Sequence, residues 1–293
     1  MNGAAHIPRW PVLPERIDTH DGLALHLRHW PVTDARGTVL IVHGLGEHIG
    51  RYAHVAGHFN AWGWSVVGYD QRGHGRSEGA RGRVGADDSL LCDLALVIDA
   101  LRGAQRGPML LLGHSMGGLV AARFVAGGIG ARQPWSREVD ALVLSSPALD
   151  HGMSAGQKLL LALLGRLTPD LAVNNGLKPE WISRDAQVVR RYIADHLVHD
   201  RVTPRLVRFI VDAGALVRER AASWQVPTLL LWAGSDRCVA PGGSAAFAAA
   251  APSAVLSAHE FTPLFHEIFN EPEQQDVFSL LGDWLARLEF APR

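Results

Sequence analysis

Gly113-His114-Ser115-Met116-Gly117 spells G-x-S-x-G, a serine held between two glycines. A serine hydroxyl can attack an acyl carbon when it stands exposed on a sharp strand-to-helix turn, and the glycines leave room for that turn. The helix starting beyond it favours the negative charge that develops in acyl transfer. The apolar run MLLLG (109–113) leads into Ser115 and the helical run SMGGLVAARFVA (115–126) leads away, so Ser115 is the candidate nucleophile. Gly152-Met153-Ser154-Ala155-Gly156 repeats the pattern in the wrong place. Pro147 has already ended the preceding strand, and Ser154 is read as a loop serine.

A serine needs a base, and the base needs a carboxylate to hold its tautomer. With this elbow the order along the chain is serine, acid, histidine. Gly234-Ser235-Asp236 follows the strand TLLLWAG (228–234), which puts Asp236 just past a strand end, where an Asx turn alone would also explain it. Of 15 histidines only His259 and His266 lie beyond Asp236. His259 falls inside the last strand, whereas His266 lies in a loop before the final helix and is the candidate base. Two backbone amides would hold the oxyanion, Met116 after the nucleophile and Leu45 in His43-Gly44-Leu45-Gly46. His54 and His58 have i, i+4 metal-ligand spacing but no third ligand in matching context, and no metal is expected.

These groups need a scaffold that brings distant segments to one edge. Short apolar runs at 38–44, 65–70, 109–113, 141–146, 228–234 and 254–261 alternate with helical stretches at 51–62, 87–102, 115–126, 244–250 and 273–288. That rhythm predicts an α/β chain with a mostly parallel sheet flanked by helices. Asp21-Gly22 marks a hairpin opening the sheet. From about Asp150 to Trp224 the rhythm breaks into helical pieces with no clear strand. The expected organisation is a core of residues 1–149 and 225–293 and an inserted helical cap over 150–224. Within it, Leu159–Leu164 is too apolar to be wetted on all sides and too short to span a bilayer, so it faces either core or lipid.

Composition narrows the classes further. Hydrophobic residues make up 47% and charged residues 19%, enough for a buried sheet and too little charge for a disordered chain. The net charge of -1 supplies no basic surplus for phosphate contacts, so no nucleic-acid partner is expected. Cys92 and Cys238 fit neither a metal-ligand spacing nor a disulfide framework. The opening MNGAAHIPRWPVLPERI lacks a signal-peptide pattern and no run is long enough to span a membrane, so the cytoplasm is the expected compartment, with peripheral membrane contact left open.

Taken together, HGLGEHIGRY (43–52), DQRGHGRSEG (70–79), GHSMGG (113–118), LSSPAL (144–149), GSD (234–236) and HEIFNEPE (266–273) resemble the monoacylglycerol lipase family of α/β hydrolases and its lysophospholipase-like neighbours. The resemblance spans nearly the whole chain and is weakest over the cap. It implies the α/β-hydrolase fold with an inserted cap, Ser115, Asp236 and His266 as the triad, and Leu45 and Met116 as oxyanion donors, with no cofactor. It also implies a single-chain lipid ester as substrate, monoacylglycerol foremost. A lysophospholipase or broad carboxylesterase would use the same groups, and a catalytically dead binding protein would usually have lost one of them. The approach Phe261-Thr262-Pro263-Leu264-Phe265 to His266 departs from the family's more usual aromatic-Gly text. Read from the chain alone, Glu47 and Arg51 are an i, i+4 pair, Asp70 and His74 belong to a structural loop, and Asn270-Glu271-Pro272 looks like a helix N-cap.

Overall fold

The runs TVLIV, SVVGY, MLLLGH, ALVLS and TLLLWA are buried at every position, as strands covered on both faces must be. In the computed structural model, which describes residues 13–105, 107–150 and 152–290, they form the centre of one sheet. The elements run β1 (Arg16–Asp18), β2 (Ala24–Trp30), β3 (Thr38–Val42), α1 (Ala53–Ala61), β4 (Ser65–Tyr69), α2 (Ser89–Ala104), β5 (Met109–His114), α3 (Met116–Ala126) and β6 (Ala141–Ser145). Then come α4 (Ala155–Leu167), β7 (Val173–Asn174), α5 (Ala186–Ala194), β8 (Arg201–Val202) and α6 (Pro204–Glu219). The chain closes with β9 (Thr228–Ala233), α7 (Pro241–Ala250), β10 (Leu256–Phe261) and α8 (Gln274–Ala286). The eight-stranded order is β1-β2-β4-β3-β5-β6-β9-β10. Among the described residues of this sheet only β1–β2 and β2–β4 are antiparallel, and the expected hairpin at Asp21-Gly22 joins the first of these pairs.

Period-two alternation splits the core into two layers. Leu40, Val42, Leu111, Leu142, Leu144 and Leu230 point to the side covered by α2, α3, α6 and α7. Val39, Ile41, Leu110, Leu112, Val143 and Leu231 point to the side covered by α1 and α8. Strands that end together in a parallel sheet send their following loops to one edge, which is where Gly44, Ser115 and Asp236 emerge.

Between β6 and β9 the chain does not behave uniformly. α6 lies within the stretch set apart by the broken rhythm, yet its Leu206, Phe209, Ile210, Ala213 and Val217 join the core, and it packs on α3. The two-residue pair β7–β8 is too short for any periodicity to announce it. Among the described residues, all seven exposed large hydrophobics fall between Leu163 and Ile193. Of the apolar run 159–164, the side chains of Leu159, Leu160 and Ala162 lie outside the described residues; Leu161 is half-buried, while Leu163 and Leu164 are exposed. The first twelve residues, where no leader was expected, also lie outside them. No helix among the described residues is long and apolar enough to cross a membrane.

The N-cap expected at Asn270 is corrected. Residues 268–270 form a 3-10 turn, Glu271 stays extended, and α8 begins at Gln274. The reason is that Glu271 is fully buried and its carboxylate is committed to Arg184 and to the Phe265 N–H, which holds the chain out of the helix.

Candidate active site

Ser115 is the single residue between β5 and α3, with φ 53° and ψ -121°. Its strained backbone is held from both sides: its N–H donates to Ser145 O at 3.0 Å and its carbonyl accepts from Ala148 N at 3.0 Å. A Cβ at Gly113 would run into the Gly117 carbonyl, and one at Gly117 into the carbonyls of Val42 and His43, so both flanking positions admit only glycine. Ser154 plays a different part. It is the N-cap of α4, where its hydroxyl accepts from Gln157 N and the Gln157 side chain returns to the Ser154 N–H.

The loop after β9 carries Asp236 and the loop after β10 carries His266. His266 Nδ1 lies 2.6 Å from Asp236 Oδ2, and His266 Nε2 lies 2.8 Å from Ser115 Oγ. Asp236 Oδ1 accepts from the N–H groups of Cys238 and Val239, so the Asx turn and the contact to His266 coexist. With its Nδ1–H given to Asp236, the neutral imidazole keeps its Nε2 lone pair for the serine proton. Burial alone would disfavour the imidazolium, but the Asp236 carboxylate and its hydrogen bond outweigh it and raise the His266 pKa above 6.5. Burial likewise pushes Asp236 up, and the His266 and amide contacts more than reverse this, leaving it lowered. His114, 4.8 Å from the His266 ring, is pushed down to about 4 by burial and by that neighbour, and stays neutral. His259 stands exposed on β10 against Phe261. His54 contacts Phe269 O and His58 stacks on Phe278, so the i, i+4 pair packs against α8.

Leu45 and Ser115 line one cleft, of about 330 Å³, with Met116 opening the helix beneath it. Among the described residues the N–H groups of Leu45 and Met116 have no acceptor, whereas Gly44 N is taken by Glu47 Oε1 at 2.6 Å. Two amides without partners beside a serine can receive an oxyanion. Asp236, Cys238 and His266 carry donor atoms close enough to share a metal ion. Burial beside the Asp236 carboxylate pushes the Cys238 thiol well up, and the hydrogen bond between Asp236 and His266 already engages the other two side chains.

A buried ionic chain ties the two loops together. Arg51 meets Glu47 at 2.6 Å and grips Glu267 with two bonds of 2.7 and 2.8 Å. Glu47 also accepts from Tyr52 Oη at 2.6 Å. The i, i+4 reading of Glu47 and Arg51 holds, but the partner 216 positions away had only its place next to His266 to recommend it. Burial opposes the charge on Glu47 and on Arg51; Arg51 outweighs it for Glu47, and Glu267 together with Glu47 outweighs it for Arg51. Asp70 is structural as read, its two oxygens accepting from Ile49 N and Arg76 N. Arg51→Met should therefore leave two buried carboxylates without their cation and cost roughly 3–5 kcal/mol in denaturant unfolding. Arg51→Lys should recover only part, since ammonium cannot make the paired bonds. A loss for Arg51→Met within the error of the unfolding curve would show that the chain contributes nothing net.

A family model described as "Serine aminopeptidase, S33" matches residues 33–273. The chain is 36% identical to a monoacylglycerol lipase of Mycolicibacterium smegmatis over 87% of its own length and 90% of the relative's. It is 31% identical to the phospholipase YtpA of Bacillus subtilis, over 85% and 95%. Its backbone superposes on the crystal structure of a monoacylglycerol lipase from Paleococcus ferrophilus with a TM-score of 0.80 at 32% identity, covering 89% of this chain and 98% of that one. With an eight-stranded, mostly parallel sheet and a serine on a sharp strand-to-helix turn, the chain belongs to the serine aminopeptidase S33 family of α/β hydrolases and is a serine hydrolase.

Proposed function

We propose that the chain hydrolyses single-chain lipid esters, monoacylglycerol foremost, through an acyl-enzyme on Ser115. The observation that carries this reading is the Ser115–His266–Asp236 relay opening on a cleft with apolar walls from the inserted segment, Leu177, Ile182, Ile193 and Val198 among them. Ser115 attacks the ester carbonyl, and His266 Nε2 takes its proton and returns it to the leaving alcohol. Asp236 holds the imidazole in place, and the Leu45 and Met116 amides hold the oxyanion. Water activated by His266 then frees the fatty acid. A cleft of about 330 Å³ is at the small end of ligand sites, about 300–1,000 Å³, which supports one acyl chain over two or three. The names of the lipase relatives support the same substrate class.

In this reading residues 150–203 act as a cap while α6 stays with the core. The cap's exposed Leu163, Leu167 and Ile193, 53%, 70% and 66% accessible, meet the lipid surface from which substrate is drawn. A second reading, hydrolysis of a lysophospholipid, is favoured by Lys178 at the cleft wall and by the Bacillus phospholipase relative.

A substrate panel separates them: monoacylglycerols and lysophosphatidylcholines of several acyl lengths against short aryl esters. We expect kcat/KM to climb about fourfold per methylene buried, at about 0.8 kcal/mol each, and glycerol esters to lead. A lead for lysophosphatidylcholine would favour the second reading. A profile flat in chain length would sink both and leave a broad carboxylesterase.

A further inference from the structure

The inserted segment touches the Gly44–Glu47 loop and the His266 loop through one strip, residues 182–199. On the side of the Gly44–Glu47 loop, His199 N donates to Gly46 O at 2.8 Å. Gly46 has φ 78°, and a Cβ there would strike the His199 carbonyl, so the strip lies directly on this turn. Two residues on, His48 Nδ1 accepts from Gly50 N at 3.1 Å. Its neutral ring must then carry the proton on Nε2, which lies 2.8 Å from Asp195 Oδ2. The other Asp195 oxygen accepts from Leu197 N at 2.9 Å, so the carboxylate is itself fixed. Arg51 stacks over the Tyr192 ring at 4.8 Å.

The same strip reaches the His266 loop at its other end. Ile182 O accepts from Glu267 N at 2.8 Å, and Ser183 Oγ donates to Asn270 O at 3.0 Å. Arg184 donates to Glu271 from its backbone N and its Nε, both at 2.5 Å, and Glu271 also receives the Phe265 N–H. The oxyanion side and the base side are thus gripped by one piece of chain. The exposed leucines and valine from Leu163 to Leu177 all precede this strip, and only Ile193 falls inside it.

We propose that residues 182–199 are a fixed brace rather than part of a moving lid, and that Asp195, through His48, is a positioning residue for the loop that presents the Leu45 amide. This rests on the reading of the site given above. Asp195 lines the same cleft as Ser115, but its carboxylate is bonded to His48 and to the Leu197 N–H and not to the triad. Its effect is on where the oxyanion donor sits, and a misplacement of about 1 Å can cost about a hundredfold in rate. Opening to admit lipid then belongs to the first half of the insertion, and the machinery beneath stays assembled while the cap moves.

The test compares Asp195→Ala, His48→Ala and the double variant on a short, water-soluble aryl ester. Such a substrate has no need of the cap's apolar walls. We expect kcat to fall about 10- to 100-fold in Asp195→Ala with KM nearly unchanged. The inhibition constant for a boronic acid transition-state analogue should rise by a similar factor. The double variant should be no worse than the poorer single one, because the two residues act as one unit. Unchanged kcat on the short ester with a raised KM for long-chain substrate would show that Asp195 acts only as a wall of the cleft it lines and would overturn the proposal. A lowered Tm with kcat intact below the transition would overturn it too, leaving only a stabilising contact. Ser115→Ala is the control: residual turnover there would place the failure in the reading of the site and not in Asp195.

Discussion

Ser115→Ala is expected to lower kcat for ester hydrolysis by on the order of 10⁵-fold or more, because serine and histidine act as a unit and losing either disables both. Among the described residues the Ser115 side chain has one hydrogen-bond partner, His266 Nε2, so little that supports the fold goes with the hydroxyl. Circular dichroism and Tm should be close to those of the parent. A fluorophosphonate probe should label the parent at one site and the variant not at all. Ser154→Ala provides the contrast. It removes the reciprocal cap of α4 and costs about 1 kcal/mol in that helix, yet probe labelling and turnover should persist. If Ser154→Ala were the dead variant, the strand-and-helix context that separates the two serines would be the wrong criterion.

Asp236→Asn should cost about 10⁴-fold in kcat while leaving the geometry nearly intact. An asparagine amide facing His266 Nδ1 can donate to it, which places the ring proton on Nε2 and leaves no lone pair for Ser115. The pH profile carries a second signature. In the parent, burial disfavours the imidazolium but Asp236 more than compensates, so the His266 pKa lies above 6.5. Activity requires the neutral ring, so it should fall as pH drops through that raised value. Without the carboxylate the burial effect is left and the acid limb should move to lower pH. A residual activity that keeps the parent's acid limb would mean that Asp236 is not the group raising His266.

The elements around the sheet were legible because fully buried parallel strands are short apolar runs and the helices between them are not. The neighbours of Ser115 set it apart from Ser154, and a place outside a strand sets His266 apart from His259; the structure brings Ser115, His266 and Asp236 together and leaves Ser154 capping α4. What stayed hidden is of one physical kind. Glu267 meets Arg51 across 216 positions, and Asp195 meets His48 across 147, and no local pattern encodes either distance. Glu271 looked like part of a helix start because Asn-Glu-Pro is capping text, and only its burial against Arg184 shows why the chain stays extended there. The allegiance of α6 was hidden for a related reason: an apolar helix face shows that it packs, but not whether a cap or a core receives it.

With Ser115 as the proposed nucleophile, the backbone at residue 115 also filters which attacking groups evolution could try there. At φ 53° an unbranched side chain is strained but tolerated, whereas a second branch on Cβ makes the conformation a genuine outlier. Threonine carries the same hydroxyl and serves as a nucleophile on other scaffolds, yet this turn would resist it. Cysteine and aspartate keep a single substituent on Cβ and pass. Drift at this position can therefore change the attacking atom from oxygen to sulfur, or from hydroxyl to carboxylate, more readily than it can add one methyl group.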